Sequence, residues 1–199
     1  MTRRRGGWRK AAVGVAALAA VLGGAWPASA VVAPGFLDPA DMPPDQFSAW
    51  YWSGYPSEGF AQALCTDTLP LPEQGVWSAA YSTPETGSGR QVSVVLPSEA
   101  EAVAFAAQAD QVVAGCAARR EQENPGVAYT FTDHGAVVVE EGAHVYGLGF
   151  QGGWGYQNQL IGVGRDGDTV TFVTWESGWG APPVADFKET VRTAVNKLR

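Results

Sequence analysis

Two histidines and two cysteines are all that this 199-residue chain holds of the side chains that most often carry chemistry. A triad of serine, histidine and acid would have to be built on His134 or His144, and no Gly-x-Ser-x-Gly elbow accompanies either. Zinc-type spacing such as His-x-x-x-His is missing, and so is Cys-x-x-Cys. Asp166-Gly167-Asp168 begins like a calcium loop but lacks the twelve-residue ligand series and its closing Glu, so it reads as a turn. Gly162-Val163-Gly164 looks like a dinucleotide loop, yet a strand follows it and no helix N-terminus is left for phosphates. Asp and Glu are too many for any two to stand out as a glycosidase pair. His134 and His144 fall on what read as neighbouring strands, near Glu140 and Glu141. The simpler reading makes Glu140-Glu141-Gly142 a solvated hairpin turn and both histidines ordinary strand residues. The sequence therefore assigns no catalytic residue, no metal ligand and no cofactor.

Basic charge is scarce as well, and much of it is gathered at the start. Arg3, Arg4, Arg5, Arg9 and Lys10 precede an apolar run from Ala11 to Ala25, which ends in the small-x-small site Ala28-Ser29-Ala30. That run is short of the roughly twenty residues needed to cross a bilayer. Residues 1–30 thus read as a secretory signal peptide, with a retained N-terminal anchor as the alternative and paired arginines that permit the twin-arginine route. No cysteine follows the apolar run to accept a lipid. Removing a leader with five basic and no acidic residues takes the formal net charge from −7 to −12 and leaves eight Lys and Arg. Without a basic cluster, nucleic acid and anionic membrane surfaces are excluded as partners. Residues 31–199 suit one domain with one core, expected to be a secreted monomer, and no fixed-period repeat interrupts them.

What is present describes a fold. Cys65 and Cys116 lie downstream of an export signal, so an oxidising compartment joins them in one structural disulfide. Val31 to Ser57 is rich in Pro and Gly and carries Trp50, Tyr51, Trp52 and Tyr55. It reads as an irregular lead-in that lays rings on the core, with a helical turn near Asp38 to Met42. Val76 to Ser82 and Arg90 to Leu96 alternate apolar and polar residues around a stretch dense in turn formers, which predicts a hairpin. Ser98 and Glu101 open a helix whose stripe is Ala102, Phe105, Ala106, Ala109, Val112, Val113 and Cys116. Four strand-like runs follow: Ala128 to Asp133 continuing through Val137 to Val139, His144 to Gln151, Gln159 to Gly164, and Thr169 to Glu176. Pro182-Pro183 opens a last helix with the stripe Val184, Phe187, Val191, Ala194, Val195 and Leu198. The class is α+β: an antiparallel β-sheet of about six strands, with two main amphipathic helices packed on one face and one disulfide.

This layout resembles the PknH-like extracellular sensor domain of actinobacterial membrane Ser/Thr kinases and its stand-alone secreted relatives. The matching residues are Phe36-Leu37 to Met42-Pro43-Pro44, Cys65, Gln91-Val92-Ser93-Val94, and the Ala-rich helix ending in Cys116. Ala143-His144-Val145-Tyr146-Gly147, Gly162 to Gly167 and the helix Phe187 to Leu198 complete the match, which spans nearly all of residues 31–199. The resemblance implies a sheet with a cleft that receives an extracellular ligand, and no catalytic motif. This chain carries no kinase or membrane helix after the signal, and one cysteine pair where kinase-attached members carry two.

Gly147 to Gln159 invites a binding role, because Trp154 and Tyr156 sit among glycines and amides at a hairpin tip, where rings can stand beside polar groups. Trp179, between Gly178 and Gly180, and Trp175 belong to an adjacent strand end. Trp154, Tyr156 and Trp179 are the expected ligand-binding residues, against the simpler alternative that such rings cover the sheet. The expected function is non-catalytic binding of an extracellular or cell-envelope ligand. The competing classes are an envelope hydrolase using a carboxylate or His134 and a structural or protein-interaction module.

Overall fold

A computed structural model describes residues 32–152 and 155–198, the side chains of Gly155 and Tyr156 excepted. The signal segment 1–30 and Trp154 lie outside the described residues. The strands are β1 (Tyr51–Glu58), β2 (Val76–Ser82), β3 (Gly87–Val95), β4 (Ala128–Val137), β5 (Ala143–Gly152), β6 (Gly155–Asp166) and β7 (Thr169–Ser177). The helices are α1 (Glu99–Ala114), α2 (Cys116–Glu123) and α3 (Val184–Asn196), and a 3-10 turn at Pro39–Asp41 precedes β1. Every strand pairing is antiparallel, in the spatial order β1-β2-β3-β7-β6-β5-β4. Two meanders, β1 to β3 and β4 to β7, meet where β3 pairs with β7. The helical pair α1 and α2 carries the chain from β3 to the far edge at β4.

Seven strands stand where about six were expected. The added one, β1, is an edge strand with register shifts between Trp52 and Gly54 and between Gly54 and Ser57. It contains Pro56, which an edge tolerates because the missing N–H faces away from the ladder. Its residues are half-buried at most, so it has no buried face of the kind by which strands declare themselves. Elsewhere the local signals match. The Ser98 hydroxyl accepts from the Glu101 backbone N–H at 3.3 Å and caps α1. The helical stripe breaks at Gly115, so Cys116 begins α2 rather than ending α1.

The placement of both helices on one face is corrected. Ala102, Phe105, Ala109 and Val113 of α1 pack with Val92, Val94, Ile161, Val163, Val170 and Phe172. Phe187, Val191, Ala194 and Val195 of α3 pack with Ala79, Tyr81, Val145, Leu160, Val173 and Trp175. The two sets take alternate positions of the same strands, and alternate strand residues point to opposite faces. The sheet is therefore a middle layer, with α1 and α2 on one side and α3 on the other. The α3 face is shared by the lead-in. Leu37 donates its N–H to Gln91 Oε1 at 2.8 Å, the Tyr81 hydroxyl donates to Leu37 O at 2.9 Å, and the Thr190 hydroxyl donates to Asp41 O at 2.6 Å. Lys197 pairs with Asp38 at 2.8 Å and Asp41 at 2.6 Å.

Candidate functional site

On the α1 face the strands change character halfway along. The positions of β3 that share this face read Val94, Val92, Arg90, Ser88, and those of β7 read Val170, Phe172, Thr174, Glu176. On β6 the series is Val163, Ile161, Gln159. The apolar half lies under α1, while the polar half extends past it and, among the described residues, is roofed by the loop Gln62 to Leu64. Between roof and sheet is a cleft of about 380 Å³, lined by Ser53, Ala80, Ser82, Ser88, Arg90, Thr174 and Glu176 below and by Gln62, Ala63 and Leu64 above. That volume lies at the small end of ligand pockets.

The roof is held from behind. Cys65 and Cys116 are joined as a disulfide with their Cα atoms 5.5 Å apart. Arg119 of α2 donates to Val112 O at 2.8 Å and to Cys65 O at 3.1 Å. The Thr66 hydroxyl donates to Ala63 O at 2.8 Å, and Arg120 pairs with Asp67 at 3.5 Å. On the floor, the Glu176 carboxylate accepts from Ser88 Oγ at 2.5 Å through one oxygen and from Gln159 Nε2 at 3.0 Å through the other. Ser82 Oγ donates to Ser53 Oγ at 3.0 Å. The Arg90 guanidinium has neither a hydrogen bond nor a carboxylate at ion-pair distance among the described residues.

The residues expected to bind are not all gathered there. Trp179 is 65% exposed and borders a separate groove of about 200 Å³, with Phe47, Trp175 and Pro183 on its walls. Trp175 is buried with Leu160 and Phe187 on the α3 face. Trp154 and the side chain of Tyr156 lie outside the described residues; the Tyr156 backbone pairs with Gln151 in the β5–β6 ladder. The cleft residues had one legible signal, the switch from Val to Arg, Ser, Thr and Glu at every second position of β3 and β7. Reading it requires knowing that those two strands are neighbours.

The histidines belong to another cluster. β4 bulges at His134, between Asp133 and a Gly135 in the left-handed region (φ 84), and the Asp133 carboxylate accepts from the Gly135 N–H at 2.7 Å. His144 Nε2 lies 2.5 Å from Asp133 Oδ1, and its ring stacks on Tyr146 with centroids 4.5 Å apart. The Tyr146 hydroxyl donates to Asp110 Oδ1 at 3.1 Å. The hydrogen bond from His144 holds the Asp133 carboxyl below its ordinary range. Burial pushes the Asp110 carboxyl and the Tyr146 hydroxyl up, and lowers His134, helped there by the Lys188 charge. Glu141 is paired with Arg165 at 2.6 Å. Among the described residues no three His, Cys, Asp or Glu side chains converge as a metal site.

No protein-family model matches the chain, and no curated protein matches it. Among solved structures it is similar to the extracellular domain of PknH from Mycobacterium tuberculosis, at 15% identity and a TM-score of 0.50. The match covers 75% of this chain and 86% of that one. It shows the fold: a seven-stranded antiparallel sheet of PknH-like form.

Proposed function

We propose that the protein is a non-catalytic, sensor-like binding module that works outside the cytoplasm as a monomer and receives a small extracellular or envelope ligand in the cleft over Arg90 and Glu176. The observation that carries this reading is the cleft itself, where charged and hydroxyl side chains take the place of core residues beneath a disulfide-anchored roof. A site of this kind gives up stability that apolar residues would supply, which makes sense where polar groups are kept for a partner. The likeness to an extracellular domain, the disulfide and the leader-like residues 1–30 support the address. Among the described residues no helix is long and apolar enough to cross a membrane.

The test is calorimetric titration of the protein against envelope glycans, peptides and amino acids, with Ser53→Trp as the blocking variant, because Ser53 is an exposed residue of β1 at the rim. Binding that Ser53→Trp weakens by about tenfold or more supports the cleft. A ligand that binds the variant unchanged removes it. Trp154, Tyr156 and Trp179 are proposed as a second, aromatic site apart from this cleft, and Trp179→Ala separates that claim from the first. Affinity lost in Trp179→Ala and kept in Ser53→Trp assigns the ligand to the Trp179 groove, and the reverse pattern confines it to the cleft.

A further inference from the structure

We propose that the cleft recognises a small zwitterion, a molecule carrying an ammonium and a carboxylate such as a free α-amino acid or a dipeptide. This inference rests on the cleft being the binding site. Its basis is a pair of opposite charges that share one cavity and do not neutralise each other. Ser88 stands opposite Glu176 in the β3–β7 ladder and Arg90 stands opposite Thr174, so Arg90 and Glu176 are diagonal neighbours on one face. Diagonal neighbours are close enough for long side chains to meet. They do not meet here. Glu176 is held by two neutral donors, Ser88 and Gln159, one on each oxygen, and Arg90 by none of the described residues.

Neutral donors orient a carboxylate without cancelling its charge, and each oxygen keeps acceptor capacity for one donor more. An ammonium supplies such donors. The Arg90 guanidinium presents a planar fork that matches a carboxylate in two parallel hydrogen bonds. A ligand of one sign would satisfy one of these groups and face the like charge of the other inside the same cavity. A purely anionic ligand would in addition approach a chain of formal net charge −7. A zwitterion satisfies both groups and is indifferent to the net field. The size agrees, since about 380 Å³ holds an amino acid or a dipeptide rather than a long glycan segment. Ala63, Leu64 and Ala80 supply apolar wall for a short side chain.

Calorimetric titration of the intact protein with alanine, alanylalanine, propionate and ethylamine tests this. At least one of the two zwitterions is expected to bind, with both single-charge analogues weaker by about tenfold or more. Which zwitterion binds distinguishes an amino acid from a peptide. Arg90→Gln and Glu176→Gln should each cost about tenfold or more in affinity for it, and Arg90→Lys should restore part of the loss because the charge returns without the fork. Arg90 is exposed, so Arg90→Gln and Arg90→Lys carry the test if Glu176→Gln loses its fold. Propionate binding as tightly as the zwitterions, with Glu176→Gln silent, would overturn the proposal in favour of an anion site. Ethylamine binding as tightly, with Arg90→Gln silent, would overturn it in favour of a cation site, and so would failure of both zwitterions to bind. If a glycan binds and Ser53→Trp weakens it while neither zwitterion does, the cleft stands and the charge class falls.

Discussion

Asp110 is a carboxylate in the seam between a helix and a sheet. It lies on α1, and burial raises its pKa above the ordinary 3.8, opposed by the hydrogen bond that the Tyr146 hydroxyl donates to it and by His144, and helped by the negative charge of Asp133. A carboxyl whose folded pKa is raised binds its proton more tightly in the native state than in the unfolded chain. Its contribution to stability is therefore full below the unfolded value and is lost as pH rises through the folded one. Asp110→Asn keeps an oxygen for the Tyr146 hydroxyl and removes the buried charge. The variant is expected to melt above the parent at pH 7, by roughly 1–3 °C, and to show no gain at pH 3. Thermal denaturation across that range decides it, and a variant less stable at pH 7 would show that the carboxylate is worth more charged than neutral. His134 acts in the opposite sense: its pKa is lowered by burial, so its contribution fades as pH falls below 6.5.

At the scale of elements, the seating of α3 depends on two residues without side chains. A Cβ on Gly162 would fall inside van der Waals contact of Val191 Cγ2, and one on Gly164 inside that of Val195 Cγ2. Both neighbours are core residues of the helix, so neither can swing into solvent. Gly162→Ala should destabilise by about 1–3 kcal/mol through overpacking, a loss of several degrees in melting temperature. Adding Val191→Ala should return part of that loss, because the two substitutions share one contact and their effects cannot simply add. A double variant whose loss equals the sum of the single losses would show that α3 does not seat against Gly162. The stripe of α3 was legible in the sequence at three- and four-residue spacing. Gly162 and Gly164 alternate with Ile161 and Val163, and only the packed sheet shows that the glycines face one helix and the aliphatic residues another.

For the molecule as a whole the disulfide has two tasks. It closes 51 residues of chain, which by loop-closure entropy stabilises by about 4 kcal/mol, and it anchors the loop that roofs the cleft. Cys65→Ser with Cys116→Ser should lower the melting temperature by roughly 8–16 °C. Loss of order in the roof should also weaken binding in the cleft more than binding at the Trp179 groove, which lies outside that loop. Unchanged cleft affinity in a variant that remains folded would show that the remaining roof contacts, Arg119 to Cys65 O and Arg120 to Asp67, suffice.

From its residues alone the chain determined its α+β class, the cysteine pair, the cap at Ser98, the hairpin of β2 and β3 and the buried stripes of α1 and α3. Each of these is a local pattern with a period of two or near 3.6, or a pair with no competing partner. The edge strand β1 escaped notice because an edge with Gly54 and Pro56 buries neither face fully. The two-sided covering of the sheet escaped because both sets of alternate positions in β7 are buried, so alternation carries no information there. The cleft was decided only by tertiary structure. Ser88 and Glu176, 88 residues apart, become neighbours when β3 zips to β7. That pairing is set by the register of two long strands within one sheet, a property of the whole core and of no segment taken by itself.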